Sequence, residues 1–198
     1  MKVLFLTNNE ITAPLVEWLR SNGTEVTLIG DKVTADIVKA CSPAWIISYN
    51  YRHIIKSDVI DLCPGRILNF HVSLLPWNRG ADPNLWSFLE DTPKGVTIHL
   101  IDRGVDTGPI LLSKELRFDE KAETLETSYS ALQQEIQSLF IANWEQFKAG
   151  HLSSRPQPAG GSRHFTRDSE KFKQIVGKDL FKLNCFEIKR RYAEYSVR

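Results

Sequence analysis

Cysteine is scarce in this chain: there are three in 198 residues, Cys41, Cys63 and Cys185. An odd, scattered count without metal-ligand spacing reads as reduced cytosolic thiols rather than a disulfide framework. Net charge is almost absent, with 25 basic against 24 acidic residues. A chain without a field of one sign is not expected to seek nucleic acid or an anionic membrane. No apolar run approaches the roughly 20 residues of a membrane span. The opening KVLFLT is too short for a signal peptide and lacks a small-residue cleavage site, so a cytoplasmic location is expected. No His, Cys and carboxylate cluster has ligand spacing, and no metal is expected. Glycine is missing after the first strand, where the chain reads Thr7-Asn8-Asn9-Glu10. Glu10 would repel a phosphate at that helix N-terminus.

What is present is an alternation of short apolar runs with helical patterns. KVLFLT, TEVTLIG, AWIISY and RILNFH read as strands. Between them lie ITAPLVEWLRSNG, TADIVKA and RHIIKSDVIDLC, read as helices, with Thr34 expected to cap the second. This order predicts an α/β fold, a doubly wound, Rossmann-like and mostly parallel sheet. PNLWSFLEDTPKG predicts a short helix capped by Asp82, with Pro83 at its first position. VTIHLID and PILLSKELRF predict an antiparallel C-terminal strand pair. From Thr124 to Ala149, 3–4 spacing predicts one long amphipathic helix, a core-facing stripe ended by Gly150. SSRPQPAGGSR reads as a linker. The charged tail beyond it predicts one or two helices that pack on the main body or on a partner subunit. The expected division is a catalytic domain over 1–150 and a linker with a short tail over 151–198.

The stretch from Arg66 to Leu112 carries the chemistry. Asn69 and His71 are two residues apart on a strand, so both side chains leave one face at its carboxyl end. Asp106 lies in the Gly-rich turn between the last two strands. An amide that donates to a developing oxyanion, an imidazole and a carboxylate make an acyl-transfer set. Taken singly, Asn69 could bond to neighbouring backbone, His71 could be a satisfied core histidine and Asp106 could be a turn residue. His99 could orient the site or simply pack.

Asn69, His71, Ser73, Leu74, Leu75 and Pro76, followed by Gly95, Val96, Thr97, His99, Asp106 and Gly108, resemble the core of the enzymes that transfer formyl from 10-formyltetrahydrofolate. The resemblance runs loosely from Met1 to about Gly150. It implies a folate-dependent N-formyltransferase that uses 10-formyltetrahydrofolate as co-substrate, no metal, and a primary amine as acceptor. It implies that Asn69 and a protonated His71 donate to the oxyanion while Asp106 orients His71 and takes the ammonium proton. The pteridine is expected at Tyr51, Arg52, His53 and Ile54, largely through backbone groups, under a loop that starts at Asp102 and includes Gly104. Trp77, Arg79 and Asn84 are the expected acceptor contacts.

The acceptor is expected to be a nucleotide-diphosphate-linked amino sugar, because PWNRGADPNLWSF and GSRHFTRDSEKFK look like segments of the enzymes that formylate such sugars. Glycinamide ribonucleotide is disfavoured by Glu10. Initiator methionyl-tRNA is disfavoured by near-neutral charge and by the short stretch after Gly150, since relatives acting on it carry a further barrel domain. Three alternatives remain open: a formyltetrahydrofolate hydrolase (which usually carries an extra N-terminal domain), another small amine as acceptor, and a non-catalytic binding domain. The long helix and tail could supply a homodimer interface.

Overall fold

A computed structural model describes residues 1–196. Its first half alternates as the sequence predicts. The strands are β1 (Lys2–Leu6), β2 (Glu25–Ile29), β3 (Trp45–Tyr49) and β4 (Ile67–His71). The helices between them are α1 (Ala13–Ser21), α2 (Ala35–Cys41) and α3 (Ser57–Leu62). These four strands run parallel, in the spatial order β2-β1-β3-β4. After β5 (Arg79–Gly80) and α4 (Pro83–Leu89), β6 (Lys94–Leu100) and β7 (Ile110–Leu116) extend the sheet antiparallel beyond β4. The fold is therefore the expected α/β one.

Both faces of the sheet are covered, which is why its central strands are apolar without alternation. On one face Phe5, Tyr49 and Phe70 pack with Leu15, Leu132 and Phe140 from α1 and α5 (Leu125–Ala142). On the other, Leu4, Leu6 and Ile46 meet Val38 and Val59 from α2 and α3. Burying each such side chain contributes about 1.5–3 kcal/mol.

Three local expectations change. The helix expected from Arg52 starts only at Ser57. Asn50 is left-handed at φ 51°, and the Arg52 amide donates to Asn8 Oδ1 at 3.0 Å, so residues 52–56 form a loop over the strand ends. The long helix breaks at Asn143 and resumes as α6 (Trp144–Lys148). Asp82 does precede α4, but in a left-handed conformation with no side-chain cap; its carboxylate accepts instead from Ser169 and Lys173.

Residues 151–162 have no regular secondary structure beyond one bridge to the sheet. Arg155 pairs with Ile110 through two main-chain bonds of 2.8 and 2.9 Å. The segment then enters β8 (Arg163–His164), which pairs with β5 in a small parallel sheet. The tail consists of α7 (Thr166–Val176), a 3-10 turn (Gly177–Phe181) and α8 (Cys185–Ser196). It buries Phe172, Leu180 and Ile188 against Leu85 and Phe88 of α4 and Leu125 of α5. Among the described residues, no helix is long and apolar enough to cross a membrane.

Candidate active site

The parallel strands end together, and open α/β sheets bind ligands beyond their carboxyl ends. There the chain encloses a cavity of about 1330 Å³. Asn69 and His71 enter it from β4, and Asp106 from the turn between β6 and β7. Asp106 takes a left-handed backbone, φ 53°, which Asp tolerates better than most residues.

The structure brings Asn69, His71 and Asp106 together. Asn69 Nδ2 donates to Asp106 Oδ1 at 3.0 Å and lies 3.2 Å from His99 Nε2. The register sets Asn69 directly opposite His99. His99 Nδ1 is 2.9 Å from the Leu100 carbonyl, which only accepts, so Nδ1 carries the proton. In the neutral ring Nε2 is then a lone pair. Both neighbours of the Asn69 amide nitrogen are acceptors, and this fixes the amide orientation. Asp106 Oδ2 accepts the Gly80 amide at 2.8 Å and lies 3.7 Å from His71 Nδ1.

His71 is buried, and its Nε2 is 3.0 Å from the Asn78 carbonyl. That carbonyl requires an N–H, leaving Nδ1 as the atom turned toward Asp106. Burial pushes the imidazole pKa down and His99 adds to this, against the opposing pull of Asp106 and Asn78. The ring is neutral at neutral pH. Burial alone would push the Asp106 carboxyl up, but His71, His99 and the Gly80 N–H outweigh it and hold it well below the usual carboxylate range. The resting site is thus an ionised carboxylate beside a neutral histidine.

Tyr51, Arg52, His53 and Ile54 line one wall of the cavity, and Asp102 and Gly104 the loop that faces them. The Tyr51 hydroxyl is committed elsewhere, donating to the Asp31 carbonyl and accepting from the Val33 amide. Asp102 Oδ1 accepts from the Gly104 amide and the Thr107 hydroxyl, at 2.9 and 2.6 Å, which pins the loop. Ile54 is 84% exposed, an apolar side chain left free at the rim.

Of the three expected acceptor contacts, Asn84 lines the cavity and Trp77 and Arg79 lie outside it. The Arg79 guanidinium is turned to Gln157 Oε1, at 3.0 and 2.7 Å. Asn84 reaches the cavity wall, but its amide donates to Leu125 O and Ser128 Oγ and clamps α4 to α5. The far arm of the cavity is built instead by the tail, with Lys173, Lys178 and Lys182 around an exposed Phe181. Sequence reasoning placed the tail against the main body or a partner but singled out none of these lysines, since no periodicity ties them to the sheet. It also missed Gly80 and Gln157, whose roles depend on contacts across 26 and 51 residues of chain. The one signal for Gln157 is its place between Pro156 and Pro158.

Comparison with known proteins adds a family. A family model described as formyl transferase matches residues 3–143. The formyltransferase PseJ from Anoxybacillus kamchatkensis, solved in complex with UDP-4,6-dideoxy-4-formamido-L-AltNAc and tetrahydrofolate, is 41% identical with a TM-score of 0.87; the match covers 95% of this chain and 97% of that one. A sugar N-formyltransferase from Shewanella sp. FDAARGOS_354, 20% identical with a TM-score of 0.73 over 97% of this chain and 87% of that one, shares the fold. Among curated relatives, the methionyl-tRNA formyltransferase of Thermodesulfovibrio yellowstonii is 34% identical over 123 residues, or 61% of this chain. That match spans 39% of the relative's own length.

Proposed function

This chain belongs to the formyl transferase family, and from that premise we propose that it transfers formyl from 10-formyltetrahydrofolate to the primary amine of a nucleoside-diphosphate-linked amino sugar. The observation that carries the reading is the meeting of Asn69, His71 and Asp106 at one carboxylate in one cavity. PseJ, bound to a UDP-linked formamido sugar, supports the acceptor class. Of the tail-arm lysines, Lys173 is paired with Asp82, and Lys178 and Lys182 supply the charge for a diphosphate, where Glu10 at the first turn would repel one.

We place the folate in this cavity as substrate. The cavity lining includes residues 51–55, with the side chain of Ile54 exposed, and residues 102–106 of the pinned loop. The reaction itself needs no covalent attachment to the protein. The neutral amine attacks the formyl carbon, and the formyl oxygen gains negative charge. Asn69 donates to that oxygen, which requires one N–H now directed at Asp106 or His99 to be re-aimed. Asp106, with its carboxyl held so low, is a poor proton acceptor. The lone pair of His71 Nδ1 is the better one, and it takes the ammonium proton. The resulting imidazolium, stabilised by Asp106, donates to the oxygen through the same N–H. As the bond from the formyl carbon to the folate nitrogen breaks, that nitrogen takes the proton.

The test is purified protein with 10-formyltetrahydrofolate, followed by folate release and product mass. A UDP-linked 4-amino sugar should give folate and a formamide in equal amounts. Release without any amine would indicate a hydrolase. Turnover only with initiator methionyl-tRNA would favour the acceptor named for the curated relatives.

A further inference from the structure

Gln157 lies outside the reacting centre, yet all of its carboxamide is used there. Its Nε2 donates to the Asp106 carbonyl at 2.7 Å and to the Gly108 carbonyl at 2.9 Å. Its Oε1 accepts from Arg79 Nε and Nη2 at 3.0 and 2.7 Å. Arg79 precedes Gly80, whose amide holds Asp106 Oδ2 at 2.8 Å. One side chain therefore grips the turn that carries the Asp106 carboxylate and also the strand that supplies that carboxylate's main-chain donor. The presentation is rigid. Pro156 and Pro158 restrict the backbone on either side, and Arg155 is bound by its main chain to Ile110.

We propose that Gln157 is a positioning residue for the reaction: it sets where the Asp106 carboxylate sits relative to His71 by joining the Asp106–Gly108 turn to the Arg79–Gly80 strand. The proposal rests on the reading of Asp106 as the anion of the reacting centre. The segment 151–162 is then part of the site's frame. The left-handed turn at Asp106 has two carbonyls that must be satisfied by some donor, and Gln157 supplies both N–H groups from a single amide. Neither a glutamate nor an alanine side chain can do this. Gln157→Glu would place a carboxylate against two carbonyl oxygens while keeping the Arg79 partner.

The experiment compares Gln157→Ala and Gln157→Glu with the parent chain. Kinetics would be measured with 10-formyltetrahydrofolate and a UDP-linked 4-amino sugar. The Gly80 amide proton would be followed by NMR for shift and exchange rate. Both variants should lower kcat about 10- to 100-fold, with both KM values within about twofold, because a misplaced group costs rate rather than binding. In both, the Gly80 amide should lose the downfield shift of a carboxylate-bound N–H and exchange faster, as is also expected for the Asp106→Ala control. A rise in KM with kcat unchanged would overturn the proposal, and so would an unchanged Gly80 amide. If Gln157→Ala fails to fold, Gln157→Glu, which keeps size and the Arg79 contact, decides. The amide readout needs no turnover. Absence of activity in the parent chain would therefore count against the proposed function alone, and Gln157 would still be judged by Gly80.

Discussion

The Gly80 amide donates to Asp106 Oδ2 at 2.8 Å and Asn69 Nδ2 to Oδ1 at 3.0 Å, so among the described residues the buried carboxylate is held by main chain and a neutral amide rather than by a lysine or arginine. An anion without a permanent cation beside it keeps its field for whatever positive charge forms nearby. In the proposed reaction that charge is the His71 imidazolium. Asp106→Asn keeps the shape and removes the field. Its kcat should fall by about 10²–10⁴-fold, the range for loss of an acid–base partner. Stopped assays of folate release would check this, and retained turnover would sink the role given to Asp106.

Asn69 makes a separate prediction, because its nitrogen faces only acceptors at rest. Asn69→Ala should cost about 10²–10³ in kcat, the usual loss for one oxyanion donor, with KM for the acceptor nearly unchanged. Asn69→Asp should do worse. It sets a second carboxylate beside Asp106, and like charges at that distance force one of them to take up a proton.

The pH dependence of stability follows from His71. Its folded pKa lies below the ordinary value of 6.5, so the unfolded chain binds more protons across the window between the two. Stability therefore rises with pH through that window and is lost as pH falls from 6.5 toward the folded value. Asp106, also lowered, contributes stability present above the ordinary carboxylate value of 3.8 and lost as pH falls through its folded pKa, a distinct and more acid window. Urea melts of the parent chain and His71→Gln from about pH 7 down to about pH 5 would separate the two. The parent should lose stability faster, and parallel curves would count against a neutral, buried His71.

Much of this was readable in residues. Uniformly apolar VLFL and WIISY announced strands covered on both faces, and the two-residue step from Asn69 to His71 announced one direction for both side chains. The loop at 52–56 was not readable, since its Ile54 and Ile55 continue the apolar pattern of the helix that follows. The stretch SSRPQPAGGSR reads as a linker because it is rich in Pro, Gly and Ser. Its order comes from side-chain to main-chain bonds with partners far away in sequence, Gln157 to Asp106 and Ser162 to Asn78. Such bonds leave no local pattern. The Arg79 partner was hidden for the same reason: its guanidinium bonds to Gln157, far away in sequence.

The tail makes the next prediction. Phe172 of α7 is 1% exposed and packs with Leu85 and Phe88. Phe172→Ala should cost about 3–5 kcal/mol, as large-to-small changes in a packed core do. Because Lys178 and Lys182 ride on the same tail, the loss should also raise KM for the nucleotide sugar more than KM for the folate. Chemical denaturation with parallel kinetics would show both. Equal effects on the two KM values would detach the tail from acceptor binding.

Gly80 offers the sharpest geometric test. Its φ is +88°, and an added Cβ would stand 2.2 Å from the His164 carbonyl oxygen, a main-chain atom. Alanine there cannot be absorbed by a side-chain shift, so β5 must move from β8. The bonds from Arg79 N to Ser162 O and from Ala81 N to His164 O, each 3.0 Å, should be lost with it, along with the amide that holds Asp106. Gly150 is the control. It also has a positive φ, +70°, but nothing lies within 4 Å of its added Cβ. Gly150→Ala should cost only the left-handed backbone strain, about 1–2 kcal/mol, and leave kcat intact. Gly80→Ala should lower stability by more than that and reduce kcat by at least about tenfold, since the carboxylate loses its fixed position. Equal melting temperatures with equal kcat values for the two variants would mean that the Arg79–Gly80 strand does not position Asp106.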